Sequence, residues 1–328
     1  MARIIIVTGA MTLFAAAVLF TQPTESRDAR REDQLCRASN GSVDGVGAVP
    51  STQANAQRQP RTAVEPGHRT DADYERHVSQ LRRRLPDKFH VVVEEPFVVI
   101  GDEALATVRR RARDTVKFAV DRLKRDFFAR DPDEIIDVWL FKDDASYRQY
   151  TRELFNDRPT TPFGYYSPRR RALIMNIATG GGTLVHEIVH PFMHANFPEC
   201  PPWFNEGLGS LYEQCADRDG HLHGLTNWRL EGLHDAIRAG DVPTFEALTA
   251  QDEDAFYNRD RGTNYGQSRY LCYYLQERGL LVKFYHEFVK NQKDDPTGFK
   301  TLRRVLGEPD MIAFQRKWDA FVMTLTFP

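Results

Sequence analysis

Two histidines four residues apart enclose a glutamate: positions 186–190 read His186-Glu187-Ile188-Val189-His190. On an α-helix, residues i and i+4 share one face about one turn apart, so both imidazoles can address a single ion. Glu187 follows the first histidine, placed to reach water activated by that ion without ligating it. A catalytic zinc takes three protein ligands and keeps one position open. The third ligand is expected at Glu206, in Trp203-Phe204-Asn205-Glu206-Gly207-Leu208, sixteen residues beyond His190. Two neutral imidazoles and one carboxylate leave a net charge of about +1, which acidifies water at the ion toward neutral pH. The chemistry implied is hydrolysis at one zinc ion. Glu187 would take the proton of the attacking water and hand it to the leaving amine.

The Trp-Phe-Asn-Glu-Gly-Leu segment resembles the second zinc-ligand helix of the gluzincin metallopeptidases, including the thermolysin-clan aminopeptidases and bacterial peptidase MA-like proteins. The layout is similar over residues 90–325, most sharply at 184–190, 202–213 and 265–275. That resemblance implies a zincin-like α+β fold and a peptide or protein substrate. It also implies an oxyanion donor at Tyr265, in Tyr265-Gly266-Gln267-Ser268-Arg269-Tyr270-Leu271, because a tyrosine hydroxyl of clan aminopeptidases serves the tetrahedral intermediate from such a helix start. In the family, a strand ahead of the zinc helix edges the cleft and pairs with an extended peptide; Ala172–Ile177 is either its counterpart or an interior strand without substrate contact. Two departures stand out. Pro191 directly follows His190, where it disfavours helical geometry and predicts a kink or a helix end. No Gly-x-Met-Glu-Asn segment precedes the histidines, which argues against a dedicated aminopeptidase.

Blander readings of the same residues are a structural histidine pair with a solvated glutamate, or a metal-free peptidase descendant. His194 continues the i+4 spacing but lies a turn too far to share the ion; it is expected to be packed or to support a ligand. His221 and His223 fall in an expected loop. Arg229 is a candidate for binding a substrate carboxylate.

The chain has 328 residues, 41% hydrophobic and 27% charged, with a net charge of −2. That is ordinary for a globular protein and gives no electrostatic sign of a nucleic-acid partner. Arginine runs at 82–84, 109–111 and 169–171 are read as solvated faces. Residues 1–22 carry one basic residue and an apolar run from Ile4 to Phe20, which predicts a signal peptide or an N-terminal membrane anchor, and hence an exported protein: secreted, periplasmic or anchored outside the cytoplasm. Residues 23–70 read as a disordered linker. Four cysteines, Cys36, Cys200, Cys215 and Cys272, show no redox or zinc-knuckle spacing. A Cys215–Cys272 bridge is conceivable beside buried free thiols.

The elements that must position the site follow from periodicity. Residues 71–85 have helical spacing, closed by Pro86. Phe89–Val93 and Phe97–Ile100 are β-branched runs that predict strands. A long amphipathic helix is expected over 104–128, a strand over 135–141, a helix over 146–155 and a strand over 171–177, preceded by a turn at 162–166. Beyond Tyr212 the chain is expected to be helical, with helices over 227–238, 245–248, 265–278, 280–290, 298–305 and 311–325. The expectation is a single catalytic domain over 71–328: an α+β part (86–215) with a small mixed or antiparallel sheet, then a helical part (216–328). The function expected is a one-zinc peptidase; the alternatives are an inactive peptide-binding or scaffold module on the same fold, and a zinc hydrolase of non-peptide amides.

Overall fold

The computed structural model describes residues 69–159, 161–259 and 263–327. The apolar N-terminal run, nearly all of the linker and Cys36 lie outside these residues. The architecture is α+β. Helix α1 (Asp71–Arg82) leads into the hairpin β1 (His90–Glu94) and β2 (Phe97–Gly101). One long helical stretch follows: α2 (Leu105–Arg111), a π-helical segment Ala112–Lys117, and α3 (Phe118–Asp126). Then come β3 (Ile136–Phe141), α4 (Asp144–Phe155), β4 (Gly164–Ser167) and β5 (Ala172–Asn176).

The sheet order is β1-β2-β3-β5-β4. Strands β2, β3 and β5 are parallel neighbours, and β1 and β4 pair antiparallel at the two edges. The three inner strands are buried at every position. That explains their continuous apolar sequence, since a strand covered on both faces need not alternate. Val99, Val138, Leu140, Leu173 and Met175 face one core with the α2–α3 stretch. Val98, Ile100, Trp139, Phe141 and Ile174 face a second, aromatic core with α1 and α4.

Of the two readings of Ala172–Ile177, the edge reading is therefore corrected and the interior one holds. Ala172–Asn176 is interior, flanked by β3 and β4, and the edge belongs to β4. Residues 162–166, with Pro162 and Gly164, have the composition of a turn, yet Gly164–Ser167 pairs with β5 as a strand. Gly164 adopts φ +156°, and a Cβ there would lie 2.6 Å from the Met175 side chain. The glycine marks a close crossing of two strands, not a chain reversal.

Helix α5 (Gly182–Asn196) leaves the sheet and carries both motif histidines; α6 (Pro202–Tyr212) carries Glu206. The chain is not all helical after Tyr212: β6 (Cys215–Arg218) and β7 (His221–Gly224) form a small hairpin. Helices α7 (Arg229–Ala239), α8 (Phe245–Thr249), α9 (Glu253–Tyr257), α10 (Asn264–Glu277), α11 (Leu281–Asn291), α12 (Phe299–Leu306) and α13 (Met311–Val322) complete the chain. The first core continues from the sheet into these helices, through Trp203, Phe204, Phe284, Phe288 and Trp318. Cys200, Cys215 and Cys272 are all free thiols, so the Cys215–Cys272 bridge does not form. Among the described residues, no helix is long and apolar enough to cross a membrane.

Candidate metal centre

Helix α5 continues through Pro191 to Asn196, so the helix does not end at His190. Proline removes one amide from the helix ladder. The turn beyond it stays in place because Phe192 and Met193 are buried in the first core. The i, i+4 geometry of His186 and His190 is thereby kept, with ring centroids 4.9 Å apart.

Helix α6 brings the carboxylate. Trp203 and Phe204 are fully buried and anchor its first turn, with the Trp203 indole N–H donating to the Thr297 carbonyl at 2.9 Å. Two glycines let the helix close in on its neighbours. A Cβ on Gly207 would lie 2.9 Å from the Ser268 carbonyl oxygen on α10, and one on Gly209 would lie 3.1 Å from the His186 ring. The small residues around Glu206 are thus a packing requirement of the site.

The result is a group of three: His186, His190 and Glu206 offer ligand atoms that all lie within 4.8 Å of one another. The His186 Nε2 is 3.2 Å from Glu206 Oε2, and the His190 Nε2 is 4.0 Å from Glu206 Oε1. This buried group could hold a metal ion. Its donors, two imidazole nitrogens and a carboxylate oxygen, suit a borderline divalent cation.

Each donor has a second partner that fixes its orientation. The His186 Nδ1 lies 3.0 Å from Glu213 Oε1, and the His190 Nδ1 lies 3.1 Å from Asn205 Oδ1. The Tyr257 hydroxyl donates to Glu206 Oε1 at 2.7 Å. Such outer contacts set which ring nitrogen faces the ion. Glu213 is itself held: Arg229 donates to it through Nε at 3.2 Å and Nη2 at 2.9 Å, and Asn227 donates at 3.1 Å. Arg229 is thus engaged with Glu213 on the side of His186 away from Glu206.

Charge follows the same layout. Burial alone would raise the Glu206 carboxyl, but the facing His190 and His186 rings, with the Tyr257 hydroxyl, bring it down to about 2. Burial also opposes ionisation of Glu213, yet the Arg229 guanidinium and His186 hold it well below the usual carboxylate range. Burial works against a charged His186, but its bonds to Glu206 and Glu213 outweigh that and make the ring more basic. Glu206 brings negative charge to the Nε2 side of His186, and Glu213, paired with Arg229, holds the Nδ1 side. Glu187 differs. Its side chain is 12% exposed, with Oε2 4.0 Å from His190 Nε2, and burial pushes its carboxyl up. Tyr166, on edge strand β4, lies close enough to Glu187 for the two groups to influence each other's charge.

Other expected residues fall as follows. The Tyr265 ring packs against Phe256 and Tyr257 at 5.4 and 6.4 Å, with the Arg229 guanidinium 5.0 Å from its centroid. His194 is exposed, so it is not packed in the core. His221 and His223 lie on the β6–β7 hairpin, paired with Asp126 and Glu277. The sequence reading missed Asn205, Glu213 and Tyr257 as partners of the ligands. Glu213 sits seven residues after Glu206, two helical turns on, so a stripe along α6 could have found it. Asn205 adjoins Glu206 in the quoted motif. Tyr257 carries no local signal. No protein-family model and no curated protein sequence matches the chain.

Proposed function

We propose that this protein is an exported zinc-dependent peptidase of gluzincin type, with one zinc held by His186, His190 and Glu206. The observation that carries the reading is the convergence of these three donors within 4.8 Å, with Glu187 beside them on the same helix. When bound, zinc supplies a Lewis acid that acidifies water and polarises an amide carbonyl.

The chain's own groups do the rest. Glu187 has a carboxyl raised by burial, which makes it a stronger base than an exposed glutamate. It takes one proton as water oxygen attacks the amide carbon. It returns that proton to the nitrogen as the C–N bond breaks, leaving a carboxylic acid and an amine. Edge strand β4 supports a peptide substrate: one side pairs with β5, which leaves its other side for an extended chain, and Tyr166 on it lies close enough to Glu187 to influence its charge. Tyr265, one ring away from the Tyr257–Glu206 contact, serves as oxyanion donor in this reading.

A peptide-library cleavage assay with and without chelator tests the activity, and zinc analysis of the His186→Ala variant tests the ligand set. Chelator-sensitive cleavage and loss of zinc from the variant are expected. Zinc in equal amount in both proteins would remove His186 from the site.

A further inference from the structure

The sheet face opposite the metal centre holds a cleft of about 540 Å³ between α1, the start of β3 and the turn joining β4 to β5. Two of the arginine runs read as solvated faces meet there. Arg84 comes from the first, and Arg170 and Arg171 from the third; Arg69 and Arg76 complete the set. The cleft wall carries three carboxylates, Asp73, Glu134 and Asp137, and the imidazole of His77.

Five guanidiniums therefore face three carboxylates, and the carboxylates are shared. Glu134 takes Arg171 at 2.6 Å and Arg69 at 3.4 Å. Asp137, only 7% exposed, takes His77 at 2.6 Å and Arg84 at 3.7 Å. Asp73 takes Arg76 at 3.0 Å and caps the start of α1. Arg170 turns partly outward, 3.9 Å from Asp157 and bonded to the Phe155 carbonyl. A guanidinium offers five N–H donors in a planar fork, so these contacts leave most donors unused. The Arg69 Nε is buried and has no acceptor among the described residues. Arg76 and Arg84 are about two-thirds exposed and can swing across the opening.

From this surplus of positive charge and donor forks we infer a binding site for a small oxyanion of charge −2 or more, a phosphate or a phosphate ester. The volume is in the range of small-molecule sites, and planar forks match phosphate oxygens better than they match single carboxylate contacts. The site is separate from the metal centre, because α1 and Ile135 pack in the second core whereas α5 packs in the first.

Isothermal titration calorimetry on the full chain, stripped of metal by chelator and held at fixed ionic strength, tests this with inorganic pyrophosphate and orthophosphate as probes and acetate as the monoanion. One saturable site for pyrophosphate and none for acetate is expected. The Arg76→Gln/Arg84→Gln double variant should bind pyrophosphate about tenfold more weakly or worse. Glu134→Gln removes a competing carboxylate and should bind more tightly, a change of sign that a folding defect does not produce. Absence of saturable binding, or equal affinity in the wild type and the double variant, overturns the proposal. Zinc content and peptide cleavage of these variants report separately on the proposed peptidase reading.

Discussion

Behind His186, on one face of the sheet, Glu206, Glu213, Arg229 and Asn227 form a buried and connected polar network. On the other face, five arginines and three acids stand at the rim of an aromatic core built from Phe89, Trp139, Phe141 and Tyr150. A buried charge must keep its partner, since losing it leaves the remaining charge in a medium that cannot solvate it. Apart from the buried Asp137, the rim charges are at least partly solvated, and each exposed pair contributes little. The first arrangement is suited to holding an ion in one geometry, the second to accepting a ligand from solvent.

The sharpest way to break this contrast is Arg229→Leu. It leaves Glu213 buried without its cation and should cost about 3–5 kcal/mol of stability in urea unfolding. Loosening Glu213 also loosens His186, so zinc affinity should fall about 10- to 100-fold in a competitive titration. Unchanged zinc affinity in a folded Arg229→Leu protein would cut the network off from the site. Trp139→Ala, on the other face, should lose a similar 3–5 kcal/mol or so by opening a cavity. Its zinc affinity should match the wild type, because Trp139 belongs to the second core.

Tyr257→Phe is a finer probe. It keeps the ring against Phe256 and Tyr265 and removes only the hydroxyl on Glu206. Stability should change by about 1.5 kcal/mol or less, while zinc binds about tenfold more weakly. The smallest effect belongs to Asp73 at the rim. Bonds from the Thr70 amide and hydroxyl, with Arg76 alongside, lower its carboxyl from 3.8 to about 2. Its folded-state value lies below its unfolded one, so its contribution is complete above about pH 4 and is lost as pH falls through 2. Melting curves from pH 5 to pH 2 should show a slightly shallower acid decline in Asp73→Ala than in wild type.

How much of this could be read from sequence depended on how local the signal was. His186, His190 and Glu206 were legible because helical spacing and a short motif carry them. The inner strands were legible because burial on both faces writes a continuous apolar run. The β4 edge was not, since its strand character comes from pairing with β5 and its sequence is dominated by proline and glycine. The β6–β7 hairpin had a usable signal that was passed over. Asp219-Gly220 is a two-residue turn with φ of +56° and +81°, the Asp-Gly pattern that favours a hairpin. Tyr257 reaches Glu206 across 51 residues, and Arg84, Arg170 and Arg171 meet only once the sheet brings α1 beside the β4–β5 turn. No spacing rule encodes such meetings.

In the proposed mechanism Glu187 is a base beside a zinc that it does not ligate. The most direct test pairs zinc analysis with peptide cleavage for the wild type and Glu187→Gln. One zinc per chain in both proteins is expected, with chelator-sensitive cleavage by the wild type and loss of cleavage in the variant. A wild type that binds no zinc, or a variant that cleaves as fast as the wild type, would contradict it.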